Sequence, residues 1–158
     1  MEMVKTTLLA VALATASAYG KDFSLTIGNP VAVTLPDGVN AVVKKRDAGM
    51  AVRVENCADV ANAQVTATAE GIVNVTRRSV PVRLVAATTP GAFAVSHDWP
   101  WEGAWVVHLT GHCGASAASA VVPFGPNGFI RESSKFFSRA ATAAEVEAVL
   151  KTLIGGAQ

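Results

Sequence analysis

The chain has 158 residues, with 13 Lys and Arg side chains against 12 Asp and Glu side chains, so its formal net charge at pH 7 is +1. Hydrophobic residues make up 51% of the chain and charged residues 16%, which favours a folded domain over a disordered chain. Such a near-neutral chain lacks the strongly basic face that nucleic acids and anionic membrane surfaces attract, so neither class of partner is expected.

The N-terminus is typical of a secretory signal peptide. Lys5 supplies a short charged region, and the uncharged run from Thr6 to Ala16 is too short to span a bilayer, which needs ~20 apolar residues. Ala16-Ser17-Ala18 then offers the small residues that a signal peptidase accepts, so cleavage is expected before Tyr19. We therefore predict that residues 1–18 are removed. The mature chain has no later stretch of transmembrane length and is predicted to be periplasmic or secreted.

Short strand patterns and turn residues follow one another along residues 22–124. Apolar residues recur at every second position, as expected of strands with one buried face, in Val52–Glu55, Val73–Thr76, Val80–Leu84 and Trp105–Leu109. Turn residues separate these runs, as at Gly28-Asn29-Pro30, Pro36-Asp37-Gly38, Asp47-Ala48-Gly49, Thr89-Pro90-Gly91 and Gly125-Pro126-Asn127-Gly128. The spacing predicts an all-β fold, an antiparallel sandwich of two sheets, in a domain at residues 19–128.

The last part of the chain, residues 129–158, is predicted to be a linker followed by an amphipathic α-helix. Thr142 and Glu145 have the spacing of a capping box, in which each side chain accepts a backbone N–H at the start of a helix. Apolar residues then recur at helical spacing, which predicts a helix over 143–154. Its expected role is to pack an apolar stripe against the sandwich.

The two cysteines, Cys57 and Cys113, are predicted to form a disulfide, because an exported protein meets an oxidising compartment. Cys113 is in phase with Trp105 and should therefore point inward. Cys57 is out of phase with the apolar positions of Val52–Glu55. Either a bulge interrupts that strand, or Cys57 lies in the turn after it.

Three histidines, His97, His108 and His112, raise the alternative of a metal site. His108 and His112 have the same parity on a strand, and Met50 is a soft sulfur ligand, so the four side chains could hold copper or zinc. The competing interpretation is that these are ordinary histidines on a half-exposed strand. Cys113 could also serve as a thiolate ligand, but only if it is not in a disulfide.

No catalytic residues are predicted, and the chain is not expected to be an enzyme. Ser96-His97-Asp98 contains the residue types of a catalytic triad, but neighbours in sequence cannot converge as a triad requires. The run Gly114–Ala118 only half resembles a nucleophile elbow and lacks its last glycine.

Three tryptophans lie close together at Trp99, Trp101 and Trp105. Trp105 shares the parity of the apolar positions in its strand and is predicted to be the central core residue. Trp99 and Trp101 flank Pro100, where strand pairing is interrupted, and are predicted to lie nearer the rim. There they would either pack a corner between strands or form an exposed aromatic platform for a carbohydrate or peptide.

The stretch from Thr89 to Cys113 resembles the late hairpin of small exported immunoglobulin-like domains of the YtkA-like and copper-resistance kind. Gly91–Val95 matches the first strand, and Pro100, Gly103 and Trp105 match the turn and second strand. The resemblance implies an immunoglobulin-like sandwich. The copper-binding residues of that group include an N-terminal histidine on the mature chain, and Tyr19 occupies that place here.

Taken together, these patterns predict an exported, non-enzymatic immunoglobulin-like domain without a cofactor. It would act by contact with a protein or another envelope component. The alternative is an exported copper- or zinc-binding protein that uses the histidines and Met50.

Overall fold

The computed structural model describes residues 22–37 and 48–155 of the chain. The predicted signal peptide, residues 1–18, lies outside the described residues. The described part contains one α-helix, α1 (Ala143–Gly155), and ten strands: β1 (Ser24–Gly28), β2 (Ala48–Glu55), β3 (Gln64–Val73), β4 (Thr76–Val82), β5 (Leu84–Ala86), β6 (Ala92–Ser96), β7 (Ala104–Cys113), β8 (Ser116–Gly125), β9 (Gly128–Phe129) and β10 (Lys135–Phe137). The predicted all-β fold with a C-terminal helix is confirmed.

The strands form two antiparallel sheets. Sheet A has the order β1-β2-β6-β5, and sheet B has the order β10-β8-β7-β3-β4 with β9 paired to β8. An immunoglobulin domain places its first two strands with its fourth and fifth in one sheet, and its third, sixth and seventh in the other. If β4 is left out as an additional strand beside β3, the first, second, fourth and fifth strands of this chain are β1, β2, β5 and β6, which form sheet A. The third, sixth and seventh are β3, β7 and β8, which lie in sheet B, so the sandwich is immunoglobulin-like.

The main core lies between the two sheets and follows from the alternation in β7. Trp105, Val107 and Leu109 project from one face of this strand and are at most 2% exposed. They pack against β2 side chains from the opposite sheet, including Met50 and Val52. Trp105 is therefore a core residue, as its parity predicts.

The outer face of each sheet is also partly covered. Val33 and Leu35, which follow β1, pack on the outer face of sheet A. On sheet B, Val106 of β7 packs against Val149 and Leu150 of α1. Burying these additional apolar faces contributes ~25 cal/mol per Å² of area removed from water.

The capping box predicted at the start of α1 is present. The Thr142 N–H donates to Glu145 Oε1 at 2.9 Å, and the Glu145 N–H donates to Thr142 Oγ1 at 3.2 Å. The predicted linker before α1 contains a strand, β10, that the sequence pattern does not indicate. This strand pairs with β8 and forms the edge of sheet B. No helix in the described ranges is long and apolar enough to cross a membrane.

The predicted disulfide between Cys57 and Cys113 is confirmed, with 5.8 Å between the two Cα atoms. Cys57 lies in the turn after β2, which begins with Asn56 in the left-handed region at φ 60°. That turn explains why Cys57 is out of phase with the preceding strand. The bond joins the end of β2 in sheet A to the end of β7 in sheet B.

Three local predictions were wrong. Val73–Thr76 is not a strand but contains the turn between β3 and β4, with Asn74 and Val75 at φ 50° and 62°. The run Val80–Leu84 is divided between β4 and β5, which lie in different sheets. The stretch from Thr89 to Cys113 is not a hairpin, since β6 belongs to sheet A and β7 to sheet B. In the first case four residues of alternation are too few to distinguish a strand from a turn, and in the other two alternation indicates an extended chain but not its pairing partner.

Candidate functional site

A stack of aromatic rings lies in the loop between β6 and β7. The ring centroid of His97 lies 3.9 Å from that of Trp99 and 3.8 Å from that of Trp101. The corresponding interplanar angles are 27° and 16°, so both indoles stack on the imidazole. Two indoles cannot both fit within 4 Å of the same imidazole face, so they cover opposite faces of His97. On the core side, Trp99 meets Phe124 of β8 edge-on at 4.8 Å. The stack therefore runs from the core to the surface.

The base of this loop is fixed by the carboxylate of Asp98. It accepts the Arg83 backbone N–H at 2.8 Å, the Arg83 guanidinium at 2.8 Å and the Ser96 hydroxyl at 2.7 Å. Burial raises the pKa of Asp98, but these hydrogen bonds and the charge of Arg83 outweigh burial and lower that pKa to about 2. Asp98 is thus ionised at neutral pH and ties the loop to the segment between β4 and β5.

The other end of the loop is fixed by Trp105 and Gly103. The Trp105 indole N–H donates to the Glu102 carbonyl at 2.7 Å. Gly103 has φ +88°, and a Cβ at this position would lie 2.4 Å from the Ile72 carbonyl oxygen. Only glycine fits this backbone conformation and this close approach to β3. Both ends of the loop are therefore held, and Trp101 is presented between them.

His97 is the least satisfied polar side chain of the stack. Its Nε2 atom is buried and is the one buried side-chain nitrogen or oxygen without a hydrogen-bond partner among the described residues. Burial lowers the pKa of His97 below its ordinary value, and the nearby Asp98 charge opposes this shift. The imidazole is therefore neutral at pH 7.

A cleft of about 680 Å³ opens beside the stack. This volume falls within the ~300–1,000 Å³ range of small-molecule sites. Its walls come from the start of β2, the β6–β7 loop, the start of β7, the β8–β9 turn and the end of α1. The lining residues are Ala48, Gly49, His97, Trp99, Pro100, Trp101, Gly103, Ala104, Trp105, Phe124, Gly125, Pro126, Asn127, Gly128 and Leu153. Among the described residues, 22–37 and 48–155, no Asp, Glu, Lys or Arg lines the cleft.

Exposed apolar side chains lie around this end of the sandwich. Trp101 is 83% exposed, and Val75, in the β3–β4 turn, is 99% exposed. Ile72 pairs with Ala104 at the start of β7, so the β3–β4 turn and the β6–β7 loop lie at the same end of sheet B. Of the two, Trp101 lines the cleft.

The structure corrects the prediction for one of the three tryptophans. Trp99 was expected near the rim but is only 4% exposed, because Phe124 from β8 and His97 enclose it. Trp101 does lie at the surface. The predicted pair is therefore split, with Trp99 forming the buried base of the stack and Trp101 its exposed end.

The four predicted metal ligands are not brought together. Met50 is fully buried in the core between the sheets, and His97 is enclosed by the two indoles. His108 and His112 do share the outer face of β7, but they are four positions apart, which separates their Cα atoms by ~13 Å. No group of three or more His, Cys, Asp or Glu side chains in residues 22–37 and 48–155 is placed to hold a metal ion. Cys113 is in the disulfide and cannot act as a thiolate ligand.

The triad-like run Ser96-His97-Asp98 makes no nucleophile–base contact. The Ser96 hydroxyl donates to Asp98, and the imidazole of His97 stacks on indoles instead. The sequence pattern does not place Phe124 or the turn at Gly125–Gly128 beside the tryptophans. That turn was recognised from its glycines and proline, but its proximity to Trp101 depends on the packing of the two sheets.

No protein-family model, curated protein or solved structure matches this chain. The resemblance to YtkA-like and copper-resistance domains therefore stays a prediction. The candidate site is defined by its geometry alone: a fixed loop, a stacked indole exposed at its tip and a cleft beside them.

Proposed function

We propose that this protein is an exported binding module that acts by contact, through the cleft and the exposed indole of Trp101. The observation that carries the proposal is the position of Trp101, 83% exposed yet stacked on His97 at 3.8 Å. A large apolar ring held at the surface beside a cleft has more apolar area to bury on a ligand than any neighbouring side chain.

The rigidity of this ring favours binding. Ordering a mobile side chain on association costs ~0.5–1.5 kcal/mol, and the stack has already ordered Trp101 before a ligand arrives. Tryptophan is also enriched among residues that contribute most to binding energy. The fixed ends of the loop, at Asp98 and at Gly103, support the same conclusion.

Export is proposed from two independent features. The leader at residues 1–18 has the pattern of a signal peptide, and the Cys57–Cys113 disulfide is a bond that persists in oxidising compartments. The partner is therefore sought among envelope or extracellular components.

Co-sedimentation of the purified mature chain with isolated envelope material from the source organism tests this proposal. We expect the wild-type chain to pellet with the envelope and the Trp101→Ala variant to remain in the supernatant. Phe136→Ala is the matched control, because Phe136 is an aromatic residue 48% exposed on β10, outside the cleft. Equal sedimentation of Trp101→Ala and wild type would show that the cleft is not the binding surface.

A further inference from the structure

We infer that Asn127, in the β8–β9 turn, is a site of spontaneous deamidation, which places a carboxylate in the wall of the cleft that Trp101 also lines. The inference concerns a modification of the chain itself, so it stands whether or not the cleft binds a partner. Two observations carry it: the residue that follows Asn127 in the sequence, and the exposed turn in which both residues lie.

The first observation is the neighbour of Asn127. It is the one asparagine of the chain that precedes a glycine. Deamidation begins when the backbone nitrogen of the next residue attacks the carbon of the side-chain amide, and a side chain on that next residue hinders the attack. Gly128 has no side chain, so its nitrogen is the least hindered nucleophile that a following residue can supply.

The second observation is the turn itself. Asn127 is exposed, and Gly128 has φ +111°, a conformation that residues with a side chain rarely adopt. Strand β9, which begins at Gly128, has two residues, and the pair Gly125–Gly128 is the last one before the turn. Local opening of so short a pairing costs little free energy. The turn can therefore reach the geometry that the attack requires while the rest of the sandwich stays folded.

The other described asparagines lack this combination. Asn29 precedes a proline, whose nitrogen has no proton to lose. The side-chain amides of Asn56 and Asn62 donate hydrogen bonds at 3.3 and 2.9 Å. Asn74 is exposed in a turn, as Asn127 is, but it precedes a β-branched valine. Asn74 therefore serves as the internal reference for Asn127.

The reaction consumes one water and releases one ammonia. The Gly128 nitrogen loses its proton and bonds to Cγ of Asn127, while the Cγ–Nδ2 bond breaks and the side-chain nitrogen leaves as ammonia. Water then opens the resulting cyclic imide at either of its carbonyls, which leaves aspartate or isoaspartate at this position. No oxidant or reductant is needed. Both products carry a carboxylate that is ionised at neutral pH, so the cleft gains a negative charge that the sequence does not encode.

Peptide mass spectrometry of the folded chain tests this inference. The purified chain is incubated at mildly alkaline pH, its fold is checked by circular dichroism, and it is digested at acidic pH to stop the reaction. A mass gain of about one dalton measures deamidation at Asn127 and at Asn74. We expect the rate at Asn127 to be at least tenfold higher and to rise with pH, because the attacking nitrogen must lose its proton. It should also lie within tenfold of the rate in a reduced chain unfolded in guanidinium.

Two variants assign the reaction to this pair of residues. Asn127→Gln lengthens the side chain, so that the attack would have to close a larger ring, and it should abolish the mass gain of this peptide. Gly128→Ala hinders the attacking nitrogen and should slow the reaction at least tenfold. Because alanine is strained at the φ of Gly128, this second rate is measured in the unfolded chain, where the turn imposes no conformation.

The contrary results are equally definite. A rate at Asn127 less than tenfold above that at Asn74, or more than tenfold below that of the unfolded chain, would mean that the turn protects Asn127 and would overturn the inference. A mass gain that persists in Asn127→Gln would place the reaction at another residue. An unchanged rate in Gly128→Ala would exclude the Gly128 nitrogen as the nucleophile.

Discussion

Trp105 of β7 lies directly opposite Gly71 of β3, and its indole occupies the space that a side chain at Gly71 would need. A Cβ atom at Gly71 would lie 2.3 Å from Trp105 Cδ2. The buried ring thus depends on the absence of a side chain on the neighbouring strand.

Gly71→Ala is therefore expected to destabilise the fold. The added methyl group must displace a ring that is 2% exposed, and overpacking of this kind costs ~1–3 kcal/mol. Gly28→Ala is the matched control in another strand, because nothing lies within 4 Å of a Cβ built at Gly28. Urea unfolding measures both. A Gly71→Ala variant as stable as Gly28→Ala would contradict this packing of Trp105 against Gly71.

The three tryptophans are expected to differ in their effect on stability. Trp105→Ala and Trp99→Ala each remove a buried indole and should cost ~3–5 kcal/mol. Trp101→Ala removes an exposed ring and should change the free energy of unfolding by less than ~0.5 kcal/mol. Urea melts of the three variants give the comparison. A large loss of unfolding free energy in Trp101→Ala would mean that the exposed ring stabilises the fold instead of serving to bind a ligand.

The stability of the protein is expected to decrease on mild acidification, in part through His97. Burial lowers the pKa of this imidazole in the folded chain below its ordinary 6.5. Between these two pKa values the unfolded chain binds more protons than the folded chain, so stability falls as the pH falls through 6.5 and levels off below the folded pKa. His108, whose pKa is also lowered by burial, contributes with the same sign.

His97→Phe tests this contribution, because it keeps a ring in the stack and removes the titrating group and its unpaired Nε2. The difference in unfolding free energy between about pH 7.5 and about pH 5 should be smaller in His97→Phe than in wild type. His112→Gln, at an exposed position of β7, provides the control. An unchanged pH dependence in His97→Phe would mean that His97 is not protonated on unfolding.

Metal titration tests whether the histidines of β7 form a metal site, and we expect that they do not. His108 and His112 lie ~13 Å apart along β7, too far for one ion to bind both imidazoles. Calorimetric titration with Cu(II) and Zn(II) should therefore give the same weak affinity for wild type and for a His108→Ala, His112→Ala double variant. Stoichiometric binding below micromolar concentration, lost in the double variant, would establish the metal-binding alternative.

Much of the sandwich was predictable from the sequence because its determinants are local. Alternation placed Trp105, Val107 and Leu109 on one face of β7, and the capping box at Thr142 and Glu145 marked the start of α1. The disulfide was predicted from the presence of two cysteines in a chain that we expect to be exported. Each of these features depends on residues close in sequence or on a single possible pairing.

The candidate site was predicted less well because its parts come from distant segments. Trp99 is buried by Phe124, 25 positions later in the sequence, and no local pattern links the two. The position of Pro100 correctly indicated a break in strand pairing, but a residue outside a strand can still be enclosed by rings from another sheet. Trp101, whose surroundings are mostly within its own loop, was placed correctly, as was Trp105 by its parity in β7.

The disulfide lies at the end of the sandwich opposite the cleft, since β2 and β7 both begin beside the cleft and end at Cys57 and Cys113. The two sheets are thus joined covalently at one end and by stacked rings at the other. We therefore expect local thermal unfolding to begin at the cleft end, where no covalent bond joins the two sheets. Amide hydrogens at the start of β7 should exchange with solvent sooner than those near Cys113, and a ligand seated on Trp101 would slow that exchange.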